Sequence, residues 1–205
     1  KIDIYCLHRD NKDIPVSEFI DALNEIKTEG LIHKIGASNW KLERFKQARD
    51  FALKENKEPF TILSNNFSLA EMIDPVWPGC VAIDNNFLDY VNQNNIILFP
   101  WSSTARGFFI KKKEIATSDH FSNPSMDEEK RVWHSETNLK KREICFNIAA
   151  ERNVQPIEIA LAYVIQTSKM IFPLIGPRTI NELNSSIFAT SINLSYAEIE
   201  QLTIT

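Results

Sequence analysis

The residues best suited to chemistry fall in five short groups, each directly after an apolar run: His8-Arg9-Asp10, Ser38-Asn39, Ser64-Asn65-Asn66, Trp101-Ser102-Ser103 and Gly176-Pro177-Arg178. Hydroxyl and amide groups suit recognition of a neutral polar ligand such as a carboxamide. The indole of Trp101 suits stacking on a flat ring. Arg178 opens an expected helix, where backbone N–H groups and the helix dipole favour an anion and a guanidinium would add bidentate phosphate recognition. The set outlines a site for an aromatic, phosphate-bearing cofactor. His8 could donate a proton or orient a substrate, but no carboxylate pair and no nucleophile–base couple is evident. Each residue alone also has a structural reading. Ser38, Asn39 and Thr179 could cap the helices that follow, Trp101 could be core, and His8 could be a satisfied, half-buried side chain.

What must position these groups is a run of strands and helices in alternation. Ile2–Leu7 is a β-branched and aromatic run that ends at His8. In residues 17–29, Phe19, Ile20, Leu23 and Ile26 share one helical face, with Ser17 as the expected N-cap and Gly30 in the place of a left-handed C-terminal residue. Ile32–Ile35 leads to Gly36-Ala37-Ser38-Asn39. Residues 41–54 have helical period, Phe60–Leu63 is a strand, 84–94 a helix, and Ile96–Pro100 a strand that ends at Trp101. Residues 136–151 form a helix with Lys, Arg and Glu expected on its outer side. Pro156 opens a nearly all-apolar, buried helix. Met170–Ile175 reads as another strand, 180–190 as a helix, and Ser195 with Glu198 as the capping box of a last one.

Such alternation means βαβ units and a parallel sheet, and short all-apolar strands fit a sheet buried on both faces. The expected fold class is α/β, an incomplete (β/α)8 TIM barrel of about the last five βα units, since a closed barrel typically needs about 250 residues and this chain has 205. Residues 1–205 are then expected to be the C-terminal portion of one barrel domain, with the remainder before Lys1. In such a barrel the strand ends converge on one mouth. An open doubly wound sheet is the alternative, but glycine is scarce and no first βα turn carries GxGxxG. Residues 111–135, charged and without steady period, read as a long loop after the Trp101 strand, either a binding loop or a surface excursion.

Composition narrows the partners. A net charge of −4 argues against a nucleic-acid surface. No segment approaches a membrane span. Cys6, Cys80 and Cys145 are too few and too far apart for a disulfide frame, and the four histidines form no metal-binding pair, so a reducing, cytoplasmic setting is expected. The partner expected is a small molecule. Oligomeric state is not legible.

At this point the blocks IDIYCLHRD, IHKIGASNW, SNNFSLAE, FPWSSTARGFF and ALAYVIQ…PLIGPRTINEL, in that order over nearly the whole chain, resemble the aldo-keto reductases. The resemblance implies a (β/α)8 barrel that moves hydride between NADPH, less often NADH, and a small carbonyl substrate. Of the family's catalytic Asp, Tyr, Lys and His, only the His maps here, onto His8. By motif, Ser38, Asn39 and Ser64 would face the nicotinamide carboxamide and Trp101 would stack on the nicotinamide. Ser102, Ser103 and Arg106 would lie along the pyrophosphate, Gly176, Pro177 and Arg178 near the adenosine phosphate, and Ser186 near the adenine. The WPGC and IGPR segments look like a bacterial subgroup in which reductase domains occur in longer chains.

Three departures bear on these expectations. Ser64 replaces the family's longer Gln, Ser185-Ser186 replaces its Glu-Asn pair, and Glu182 stands where NADP-preferring members often carry Arg or His. A carboxylate there would repel a 2′-phosphate; Arg178 argues the other way, and NADP is the expected cofactor with NAD as the alternative. The function expected is that of a portion of an NAD(P)H-dependent oxidoreductase reducing aldehydes or ketones, inactive in isolation. The alternative is a non-catalytic cofactor-binding or redox-sensing module of the same fold.

Overall fold

β-Branched and aromatic runs build the strands, and amphipathic stretches of three to four turns separate them. The computed structural model describes residues 1–110 and 126–203. Its elements are β1 (Ile2–Leu7), α1 (Val16–Thr28), β2 (Ile32–Ser38), α2 (Leu42–Lys54), β3 (Ile62–Ser64), α3 (Asn85–Gln93) and β4 (Ile97–Leu98). Five helices follow: α4 (Met126–Trp133), α5 (Glu136–Arg152), α6 (Pro156–Gln166), α7 (Ile180–Ala189) and α8 (Tyr196–Leu202). The strands form one parallel sheet in the order β1-β2-β3-β4. The fold is α/β, as expected. The chain divides into two compact units, Lys1–Asn65 with Gly79–Phe99, and Asn66–Pro78 with Pro100–Thr205.

In the first unit the sheet is tightest at Gly36 of β2, which stands opposite Cys6 on one side and Ile62 on the other. A Cβ at Gly36 would come within 2.7 Å of both Cys6 Sγ and the Ile62 carbonyl oxygen, so the strands can close up only around glycine. α1 buries Val16, Ile20 and Leu23, and α2 buries Phe45, Ala48 and Ala52. Between them sit Trp40, Phe45, Phe60 and Phe87, with neighbouring ring centres 5.2–5.9 Å apart. Each such side chain contributes about 1.5–3 kcal/mol by leaving water. Arg49 is buried among them, donating to the Tyr90 hydroxyl at 3.2 Å and to the Phe60 carbonyl. Gly30 ends α1 with φ +75 and its N–H on the Lys27 carbonyl, as anticipated. The expected N-cap, Ser17, instead lies inside α1; Pro15 holds the cap position and makes no side-chain cap.

β1 departs from the double-sided burial expected of every strand. Among the described residues it pairs only with β2, and Ile2, Ile4 and Tyr5 are 49%, 41% and 41% exposed. An edge strand's burial depends on its neighbours in the sheet, which its own composition does not encode.

The second unit is helical. Its core gathers Phe108, Phe109, Trp133, Cys145, Ile148, Ile159, Ala160, Ala162 and Leu202, with α6 almost wholly buried as its composition foretold. The run at 170–175 is not part of the sheet. It is extended chain with an isolated bridge at Ile171, and the Leu174 N–H donates to the Pro100 carbonyl at 2.9 Å. Pro173 has no N–H to give a ladder.

The segment read as a loop at 111–135 also differs. Residues 111–125 lie outside the described residues, but Met126–Trp133 form α4. α4 buries Val132 and Trp133 in the core, and it carries Asp127, Glu128 and Glu129 in its first turn and Lys130 and Arg131 in its last, which complements the helix dipole. Arg131 ties it to Asp74 and to the carbonyls of Pro75 and Val76. On α5, Lys141 is not on the outer side as expected. It is buried, with Nζ 2.7 Å from Glu71. The Asn138 amide brackets the same residue, accepting from the Glu71 N–H and donating to its carbonyl, both at 2.8 Å.

Candidate functional site

Parallel register sets the polar strand ends of the first unit side by side, with Ser38 opposite Ser64. The Ser38 hydroxyl donates to the Ser64 carbonyl at 2.5 Å, and the Ser64 hydroxyl donates to the Phe99 carbonyl at 2.8 Å. Each hydroxyl proton is therefore spent on the next strand. What the two oxygens still offer is acceptor lone pairs, which suits an incoming N–H donor.

Asn39 has left-handed backbone, φ 59, a conformation that Asn tolerates better than most residues. Its amide nitrogen donates to the Ser38 hydroxyl at 3.0 Å and to the His8 carbonyl at 3.3 Å, and its amide oxygen accepts from the Val81 N–H at 3.2 Å. Both amide protons are thus engaged within the chain. Asn65 does the same for Trp40, accepting from its N–H and donating to its carbonyl. His8 follows the last residue of β1 and is exposed, so its ring is open to solvent. The backbone of Gly79, φ +80, passes so near Arg9 that a Cβ would lie 2.8 Å from its guanidinium.

In the second unit, Trp101 is half-buried and pairs through its backbone with Asn66, whose amide donates to the Trp101 carbonyl at 3.0 Å. The Trp101 indole N–H is buried and has no hydrogen-bond partner among the described residues. Ser103 is buried, with its hydroxyl on the Pro100 carbonyl at 2.8 Å. Ser102 and Arg106 both have left-handed backbone. Arg106 is mostly buried and its Nε likewise lacks a hydrogen-bond partner among the described residues. Its guanidinium lies over Trp77, 5.1 Å from the ring centre, and Trp77 in turn is 6.5 Å from Trp101. In the sequence Trp77 stands out only as part of the WPGC motif, with no spacing that marks it as a partner of Arg106.

Gly176, Pro177 and Arg178 lead into α7, which Thr179 caps by accepting from the Glu182 N–H at 3.2 Å. Glu182 folds back on this terminus: its carboxylate accepts from the Arg178 N–H at 2.7 Å and lies 3.6 Å from the Arg178 guanidinium. The anion-friendly helix start already holds a carboxylate of its own. Ser186 bonds back to the Glu182 carbonyl and Ser185 donates to Glu158, both at 2.8 Å.

Within each unit, the donors and acceptors left over bear on the dinucleotide that the resemblance implies. The Ser38 and Ser64 lone pairs match a carboxamide N–H, the Trp101 face matches a flat ring, and the orphaned Arg106 Nε–H matches a phosphate oxygen. In these respects the residues fit. The engaged Asn39 amide and the Arg178–Glu182 pair fit less well. Among the described residues, no group of three His, Cys, Asp or Glu could hold a metal ion, and no helix is long and apolar enough to cross a membrane. The thiols are ordinary in position. Burial pushes Cys6 up to about 11, and burial pushes Cys145 up to about 12 while its Sγ donates to the Pro156 carbonyl.

Comparison with known proteins places the chain. It is 22% identical to a probable aldo-keto reductase of Glycine max and 24% identical to a putative aryl-alcohol dehydrogenase of Saccharomyces cerevisiae, in each case over 98% of this chain. It covers 54% and 56% of their lengths, so it spans about half of the curated relatives that it matches. An aldo/keto reductase of Klebsiella pneumoniae, solved with NADP and acetate, matches its fold with a TM-score of 0.68 at 21% identity, over 98% of this chain and 57% of that one. The model of the aldo/keto reductase family matches residues 1–205. The chain belongs to the aldo/keto reductase family.

Proposed function

We propose that this chain supplies the cofactor-binding portion, and one active-site histidine, of an NAD(P)H-dependent reductase of aldehydes or ketones. It is the C-terminal portion of one barrel domain. The observation that carries the reading is the direction of hydrogen bonding at the strand ends: Ser38 and Ser64 have given their protons to neighbouring carbonyls and present only acceptors, the chemistry a carboxamide N–H requires. In this reading Trp101 stacks on the ring, Ser102, Ser103 and Arg106 meet the phosphates, Gly176, Pro177, Arg178 and Ser186 serve the adenosine end, and His8 orients the carbonyl. Asn39 acts chiefly as a clamp. When bound, the reduced nicotinamide supplies a hydride to a carbonyl carbon. Surface also supports the portion-of-a-barrel reading, since the first unit exposes Ile2, Ile4 and Tyr5 and the second exposes Ile180, Ile187 and Phe188.

NADP is the cofactor proposed, on family grounds, with NAD as the alternative that the Arg178–Glu182 pair favours. A non-catalytic cofactor-binding module is the second reading, and what favours it is the Asn39 amide, whose protons are both taken. Titration of the 205-residue chain with NADPH and NADH, followed by calorimetry and by tryptophan fluorescence, tests the proposal. Saturable binding that Trp101→Ala weakens is expected, with no carbonyl-dependent oxidation. Loss of acid–base assistance alone costs about 10²–10⁴-fold in rate. Glu182→Gln should shift preference toward NADPH. Absence of binding by either dinucleotide would overturn the proposal. Carbonyl reduction by a longer chain bearing the family's Tyr and Lys would set the catalytic reading above the modular one.

A further inference from the structure

Within the second unit, residues 102–106 are wound in an uncommon way. Ser102, Ala105 and Arg106 have φ of 51, 48 and 51, left-handed at three non-glycine positions in five residues. Each costs on the order of 1 kcal/mol, so their clustering calls for a reason. One result of the winding is the placement of Arg106. Its guanidinium sits over Trp77, and its Nε–H is buried without an acceptor among the described residues. An unmet guanidinium donor is costly, and the position therefore favours an oxyanion. The neighbouring oxyanion is Glu128 in the first turn of α4, with Oε1 3.6 Å from Arg106 Nε. That distance is within ion-pair range and outside hydrogen-bond range.

We infer that Glu128 is a built-in counter-ion at the Arg106 position, and that a phosphate oxyanion binds there by competing with it. At 3.6 Å the carboxylate balances the guanidinium charge but leaves the Nε–H bond unmade. A phosphate oxygen can approach closely enough to make a charge-assisted bond. Arg131, tied to Asp74 and to the Pro75 and Val76 carbonyls, anchors the same helix. The exchange thus favours a ligand with more than one negative charge, such as a pyrophosphate group, over a monoanion. The identity of the ligand as a dinucleotide rests on the cofactor proposal; the competition at Arg106 does not.

Isothermal titration of the full chain with sodium pyrophosphate, and separately with NADPH, tests this. Glu128→Gln should bind pyrophosphate roughly fivefold more tightly than the unsubstituted chain, equivalent to about 1 kcal/mol for a partly exposed pair. Asp127→Asn removes the same charge from the neighbouring residue and should leave the affinity unchanged. If Glu128→Gln lowers the melting temperature, Glu128→Asp, with its shorter reach, should change affinity in the same direction. Tighter pyrophosphate binding without any NADPH binding would uphold the inference and overturn the dinucleotide reading. NADPH and pyrophosphate affinities both indifferent to Glu128→Gln would overturn the inference and leave that reading standing. Equal tightening by Asp127→Asn, or no pyrophosphate binding in any of the proteins, would also overturn it.

Discussion

Asn39 shows how one side chain can serve structure at a place where chemistry was expected. Its amide joins three backbone or hydroxyl groups on separate segments: the end of β1 through the His8 carbonyl, the end of β2 through Ser38, and the Val81 N–H. Asn39→Ala would leave that carbonyl and that N–H without their partner. The expected loss is about 1–3 kcal/mol of unfolding free energy, read from urea midpoints at constant slope. A loss near zero would return Asn39 to the role of an uncommitted ligand group. Residue type and motif made Ser38, Asn39 and Ser64 legible as a polar row. Which partner each would choose was not legible, because the neighbouring carbonyls arrive only when the strands pair.

At the level of elements, the start of α8 is held by one carboxylate with several partners. Glu198 closes a capping box on Ser195 and meets Arg152 of α5 with two bonds of 2.6 Å. The Arg152 guanidinium beside it, with help from Ser195, holds the Glu198 carboxyl down at about 2, against the opposing effect of burial. A carboxylate depressed in the folded state adds stability that is present above its unfolded value, near 4.5, and lost as pH falls through the folded one. Stability should therefore fall between pH 4.5 and about 2 in the native chain and fall less in Glu198→Gln, as thermal melts at stepped pH would show. An unchanged pH profile in that variant would remove Glu198 from the account.

This capping box was readable from Ser195 and Glu198 alone, as were the bounds of α1, α2, α5, α6 and α7 to within a residue or two, because local period and local caps determine them. The misread elements are those whose state depends on distant partners. α4 is short, with Val132 and Trp133 buried only at its C-terminal end, and Arg131 ties it to the 74–76 loop. β1 looks buried by composition but, among the described residues, has a strand neighbour on one side. The 170–175 run has strand-like residues, yet it holds only an isolated bridge at Ile171 and the Leu174 donation to Pro100 in place of a strand ladder among the described residues.

For the molecule as a whole, membership of the aldo/keto reductase family is supported by a match to the full chain, while the curated relatives are about twice as long. Each of the two units nonetheless has its own core and its own thiols: Cys6 and Cys80 in the first, Cys145 in the second. Burial holds Cys145 and Cys6 largely protonated near neutrality, and Cys145 is fully enclosed between α5 and α6. A thiol in that state reacts only when the structure around it opens. The cysteines therefore act as two internal clocks. Timed labelling with a disulfide reagent at pH 8, resolved by peptide mass, should modify Cys6, which is only partly covered, before Cys145. The Cys145 rate should approach the global unfolding rate. Comparing the two would measure whether the units open together or one at a time, without any substitution in the chain.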